Sequence, residues 1–112
     1  MGQKSMGVDR NIAGLLAYAL GWISGLIVIL VEKENDFVRF HAMQSILTFG
    51  ALTVLNLVFG SVLGFFLFLI PFLNLLGVVL WILLMVKAYQ GERYKLPVIG
   101  DLAEEWSRKV DL

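Results

Sequence analysis

The chain has 112 residues, no cysteine, a formal net charge of zero and only 16% charged residues against 59% hydrophobic ones. An ordinary globular domain carries about a quarter charged residues, and a soluble core of this size has no room for so many Leu, Ile, Val and Phe, so a water-soluble fold is excluded. The missing cysteines remove disulfides, thiolate metal sites and thiol catalysis, and the balanced charge offers no basic surface for nucleic acid.

Residues 1–10 read as a short polar tail. Met6 breaks the myristoylation pattern, which wants Ser or Thr there, and the first apolar run is too long for a signal peptide. That run, Asn11 to Val31, is 21 residues without a charge. A helical span needs about 20, so it predicts a first membrane span. Ala13, Ala17, Gly21 and Gly25 recur at i+4 and form a small-residue stripe, which lets two helix backbones approach closely in lipid. The first expectation is packing against the second span, with a homodimer seam as the alternative. The loop Glu32-Lys33-Glu34-Asn35-Asp36 is short enough to demand an antiparallel helix hairpin, and Asn35 or Asp36 is placed to cap the next helix.

Between Arg39 and Lys87 lie 47 residues without one Asp, Glu, Lys or Arg. The spacing predicts a second span over 37–59 and a third over 71–89. On the second, His41, Gln44, Ser45, Thr48 and Asn56 fall within roughly 120° of arc. A polar group facing hydrocarbon is costly, so this face should look at other helices or at water. Asn74, Gly77, Trp81 and Met85 share a face of the third span that should meet it. Residues 60–70 contain no charge and no strong turn, and read as an interfacial or re-entrant segment or as part of a fourth crossing. Residues 101–112 predict a short amphipathic helix with Ile99, Leu102, Ala103, Trp106 and Val110 on its apolar side. It lies on the membrane surface, or else docks a partner. Asp101 and Glu104 resemble a capping pair for it.

The fold class expected is an all-α integral membrane protein, a single domain with three spans and a C-terminal interfacial helix. With three spans, seven basic residues against two place the C-terminus in the cytoplasm and the N-terminus outside. With four, both termini are inside. Every carboxylate lies in a tail or loop, so no intramembrane carboxylate serves a proton relay. His41 and Ser45, one turn apart without an orienting third group, make a poor nucleophile–base pair. No phosphate loop and no metal-ligand spacing occurs. The residues therefore predict a non-enzymatic protein without cofactor or metal.

Two stretches carry a resemblance. Phe37 to Ser45, with His41-Ala-x-Gln44 entering the second span, and Lys87 to Gly100, with Gly91-Glu-x-Tyr94-x-x-Pro97, resemble a family of small prokaryotic membrane proteins of unknown function. That family is distantly related to the Tic-twenty-like component of the chloroplast import translocon. The likeness covers residues 11–100 and implies an oligomeric helical protein that moves polypeptides through or into a membrane. The positions carried over are His41, Gln44, Gly91, Tyr94 and Pro97. The partners expected are the bilayer, further copies of the chain and other membrane or translocating polypeptides. A small homo-oligomeric channel or transporter, or a structural subunit of a membrane complex, is the alternative.

Overall fold

The computed structural model describes residues 4–5, 8–61 and 64–109. Two short strands, β1 (Lys4–Ser5) and β2 (Val8–Asp9), pair antiparallel with Lys4 opposite Asp9. Helices make up the rest: α1 (Arg10–Ala19), α2 (Trp22–Val31), α3 (Asp36–Ser61), a 3-10 helix (Gly64–Leu69), α4 (Ile70–Tyr89) and α5 (Ile99–Lys109). Two segments, Asp36–Ser61 and Leu67–Tyr89, are individually long and apolar enough to cross a membrane. At 1.5 Å per residue α3 is about 39 Å long and α4 about 30 Å, matching a hydrocarbon core of about 30 Å.

α3 and α4 run antiparallel. Asn74 Nδ2 donates to Asn56 Oδ1 at 3.0 Å, and a Cβ on Gly77 would stand 3.2 Å from Leu52. The close approach that Gly77 permits draws the two long helices together where lipid supplies no hydrophobic drive. The 3-10 helix leads directly into α4, with Pro71 in the first turn, where its missing N–H costs nothing. Residues 62–63 fall outside the described residues.

Residues 11–31 differ from the expected single span. The helix stops at Ala19, resumes at Trp22 and reverses its direction in between. Gly21 adopts φ +65°, a left-handed conformation that favours glycine. Going along α1, a Cβ on Gly14 would lie 3.0 Å from Phe37, Tyr18 contacts His41, and Gly21 faces Phe49. Going along α2, the contacts on α3 run backwards: Gly25 meets Ala42 and Ser45, and the Ile29 carbonyl meets Arg39. Hydrogen bonds hold the reversal. The Leu20 N–H donates to Ser24 Oγ at 2.9 Å, and that hydroxyl lies 3.1 Å from the carbonyls of both Ala17 and Gly21. Ser45 Oγ donates to the Gly21 carbonyl at 2.8 Å. Each arm has ten residues, about 15 Å, so the hairpin reaches half the depth of α3.

The small-residue stripe is thereby divided. Ala13 and Ala17 bury in α1, Gly21 forms the turn, and Gly25 packs α2 onto α3, where a Cβ would meet the Ala42 carbonyl oxygen at 2.8 Å.

The reversal also brings the start of α1 to the same end as the start of α3. The Arg10 guanidinium sits 4.4 Å over the Phe37 ring, and Asn11 Nδ2 donates to the Tyr89 carbonyl at 2.9 Å. The start of α1, the end of α2, the start of α3 and the end of α4 therefore share one end of a molecule 48 Å long. Asn35, not Asp36, supplies the cap of α3, its Oδ1 accepting from the Val38 N–H at 3.1 Å.

α5 begins at Ile99, two residues earlier than expected, and packs on the first turns of α3 through Gly100, Ala103 and Ser107. Gly100 leaves no space for a side chain, because the Lys95 backbone crosses over it. Trp106, 43% exposed, faces outward, and Val110 lies outside the described residues. Glu104 is not a capping partner. It accepts from Lys95 Nζ at 2.8 Å and stands 3.9 Å from Arg93. The hydrogen bond and charge of Lys95 hold its carboxyl below the usual glutamate range. A carboxyl lowered in the folded state stabilises fully above its ordinary pKa and loses that contribution as pH falls through the lowered value. Acidification through that range is therefore expected to lower the protection of the α5 amides, measured against the intrinsic exchange rate at each pH. Glu104→Gln should exchange faster at neutral pH and lose most of the pH response.

Candidate functional site

The first half of α3 carries a buried polar cluster fixed by α1 on one side and by the segment after α4 on the other. His41, Gln44, Ser45 and Thr48 are all buried, as is Tyr18 of α1. His41 Nε2 lies 3.0 Å from the Glu92 carbonyl, which can only accept, so Nε2 carries the proton. Nδ1 is then an acceptor and takes the Tyr18 hydroxyl hydrogen at 2.6 Å. The Tyr18 oxygen in turn accepts from Gln44 Nε2 at 3.0 Å. The second hydrogen of Gln44 Nε2 goes to the Tyr94 carbonyl at 2.9 Å, and Gln44 Oε1 accepts the Leu96 N–H at 3.0 Å. One relay of side chains thus ties α1 to α3 and α3 to the backbone of 92–96.

The two motifs that carried the resemblance meet here. The stretch from Gly91 to Pro97 has no regular structure, so its backbone groups need partners elsewhere. His41 and Gln44 supply three of them. Gly91 turns the chain out of α4 at φ +81°, where a Cβ would stand 3.0 Å from Asn11. The carbonyl of Tyr94 is bound by Gln44, while its ring is half-exposed beside Lys87 Nζ, 5.8 Å from the ring centroid. Pro97 is exposed in the turn before α5. We call residues 91–97 the strap.

His41 and Ser45 do not bond one another, since Ser45 donates to Gly21. Thr48 is buried with its hydroxyl oxygen unpartnered among the described residues. Asn56 lies farther down α3 and belongs to a second, open group. There Asn56, Asn74 and Thr53 join Trp22, Trp81 and Gly77 around a notch of about 420 Å³, beneath the turn of the α1–α2 hairpin. Of the α4 face expected to meet the polar face of α3, Asn74 does so, whereas Trp81 Nε1 donates to the Tyr18 carbonyl of α1 at 2.7 Å. Among the described residues no group of three or more His, Asp or Glu is placed to hold a metal ion.

Residues 4–103 match the magnetosome magnetite crystal formation protein family. The chain belongs to that family. A UPF0132 membrane protein of Methanocaldococcus jannaschii is 47% identical over 105 residues, covering 94% of this chain and 75% of the relative. A second from the same organism is 47% identical over 108 residues, covering 96% and 97%. One from Archaeoglobus fulgidus is 44% identical over 98 residues, covering 88% and 95%. No solved structure matches the chain. Membership of a family of small prokaryotic membrane proteins thus agrees with the hydropathy.

Two residues of this family member's polar cluster are missing from the sequence reading. Tyr18 places a hydroxyl in the middle of an apolar run, and a buried Tyr O–H needs a partner. Arg39 counts in the sequence as a loop charge, yet it is only 6% exposed. Its Nη1 donates to the carbonyls of Ile29 and Glu32, and its Nε to that of Ser107. Its position between Val38 and Phe40 was the available signal.

Proposed function

We propose that this chain is a non-enzymatic integral membrane protein that acts as a membrane-assembly factor and enters the bilayer from one side. α3 and α4 cross, and the α1–α2 hairpin is re-entrant. The observation that carries the reading is how the polar groups divide. His41, Gln44 and Ser45 in the first half of α3 are spent on the chain's own strap and hairpin, whereas the Asn56–Asn74 notch stays open below the hairpin turn, whose Trp22 lines it. The basic residues lie before α1 or at its first residue, between α2 and the first turn of α3, and from the end of α4 onward. They share one end, and the bias of Lys and Arg supports a cytoplasmic side for it.

The notch is where another membrane segment docks, and a second copy of this chain fits it. Asn74 Nδ2 already donates to Asn56 Oδ1 and the Ile70 carbonyl, and Asn56 Nδ2 donates to the Leu52 carbonyl. Among the described residues one Asn56 amide hydrogen and the Asn74 amide oxygen remain, a donor and an acceptor that a two-fold related copy can pair reciprocally. The family's description concerns magnetite crystal formation in magnetosomes. For this chain we propose a membrane role rather than direct mineral binding, because carboxylates of its charged end are engaged by Lys95, Lys87 and Lys109. A solute path finds less support, since His41, Gln44 and Ser45 are bonded within the chain. The polypeptide-handling role implied by the likeness to the Tic-twenty-like component would use this same notch.

A photo-crosslinking residue at Thr53, in native membranes, tests the reading. Adducts at twice the chain's mass are expected. A broad set of other polypeptides would favour client handling instead, and no adduct from a reactive probe would sink the docking role of the notch.

A further inference from the structure

The molecule is much wider at one end than at the other. Level with residues 37–49 of α3, four helices lie side by side, because α1, α2 and α4 all flank that stretch. α5 and the strap add to this end at its outer margin. Beyond the turn at Gly21, among the described residues, only the six-residue 3-10 helix accompanies α3 and α4, and a Cβ placed on Gly50 would meet nothing within 4 Å. The re-entrant arms are about 15 Å long, half of a hydrocarbon core of about 30 Å, so they fill one leaflet and stop. A helix is roughly 10 Å across. Two ten-residue arms against one six-residue 3-10 helix leave the charged-end leaflet larger by about one helix section, on the order of 80 Å².

The arms are shaped for that leaflet. Their outward side chains Leu16, Ile23, Ile27 and Leu30 are exposed and apolar, while their inner sides carry Gly14, Ala17 and Gly25, packed on α3 and α4. Gly25 would meet the Ala42 carbonyl oxygen if it gained a Cβ, so α2 is held tightly and the wide end is rigid rather than a loose flap. Packed interiors of this kind do not deform continuously. Lipid therefore has to adapt to the wedge.

We propose that this protein is a membrane wedge that prefers bilayers bent away from its charged end, and at high density produces them. Its partner in this respect is the lipid surface itself. The proposal rests on the one-sided topology put forward above but not on the docking role of the notch.

The test uses the full chain in giant vesicles of phosphatidylcholine and phosphatidylglycerol from which narrow tethers are pulled. The natural sequence has no cysteine, so Lys33→Cys, in the exposed loop between α2 and α3, takes a membrane-impermeant fluorescent maleimide only on molecules whose charged end faces out. Those molecules are expected to be severalfold denser on the tether than on the parent vesicle. Molecules with the charged end inside, labelled before reconstitution and quenched externally, should be depleted there. A separate protein carrying both Asp9→Cys and Lys33→Cys reports where the N-terminus lies, since cysteines on one side are labelled both or neither and cysteines on opposite sides one per molecule. If Asp9→Cys and Lys33→Cys label from the same side but tether and vesicle densities are equal, the topology stands and the wedge is overturned. If they label from opposite sides, the re-entrant hairpin fails and the wedge fails with it.

Discussion

Replacing Gln44 by Leu is expected to release the strap from the membrane domain while leaving both long helices formed. Leu is close to Gln in volume, so packing changes little, but three hydrogen bonds disappear together. The Tyr94 carbonyl and the Leu96 N–H are left facing an apolar side chain. A buried backbone group left without its partner costs about 1–3 kcal/mol, so the strap loses roughly 2–6 kcal/mol of anchoring. Each 1.4 kcal/mol is a factor of ten, so hydrogen exchange at the Leu96 amide should accelerate by roughly one to four orders of magnitude. Circular dichroism should show helix content retained. Unchanged exchange at residues 92–96 would mean that the strap is held by something other than Gln44. His41→Leu should weaken the same segment less, since it removes one bond to the strap, at the Glu92 carbonyl, and one to Tyr18.

Arg39→Met should have a comparable effect at another point, by parting α2 and α5 from the start of α3. Ile29, Glu32 and Ser107 lie in or beside the last turns of α2 and α5. Their carbonyls form the negative ends of two helix dipoles, and a single guanidinium donates to all three. A cation at a helix C-terminus stabilises by about 0.3–1 kcal/mol, and up to about 2 in partly buried geometry. Hydrogen bonds to charged groups contribute about 1.5–3 kcal/mol each, so a loss of roughly 3–4 kcal/mol is expected after allowing for the cost of burying the charge. Exchange should accelerate in the last turns of both α2 and α5, and the unfolding midpoint in mixed micelles should fall. Arg39→Lys keeps the charge but loses the fork, so it should recover less than half of the difference. If only one of the two helices loosens, Arg39 is a cap for that helix and not a bridge.

Both effects fall on residues that the sequence placed imperfectly. The long helices were legible because a charge-free run of 47 residues leaves few alternatives. The two motifs were legible as motifs, and their joining was not. Nothing local in His41-Ala-Met-Gln44 says that its donors reach residues 92–96, because the bonds close loops of 50 residues and more. The break at Leu20–Gly21 was hidden for a related reason. Glycine is ordinary in membrane helices, no proline marks the site, and the reversal is held by Ser24, a lone hydroxyl in an apolar run, and by Ser45, which the polar face of α3 had already claimed. Arg39 was misjudged because counting charges by loop ignores the carbonyls that a short side chain's distance away can capture.

The strap also sets a schedule for how the protein is made. Gln44 leaves the ribosome 52 residues before Leu96, its partner. At about 5–20 residues per second, roughly 3–10 seconds pass between the two. During that interval α3 and α4 can enter the membrane while His41 and Gln44 still lack the backbone that satisfies them. A half-made chain therefore shows the insertion machinery unmet polar groups that the finished chain hides. Chains truncated before residue 96 keep the Gln44 amide oxygen without the Leu96 N–H permanently.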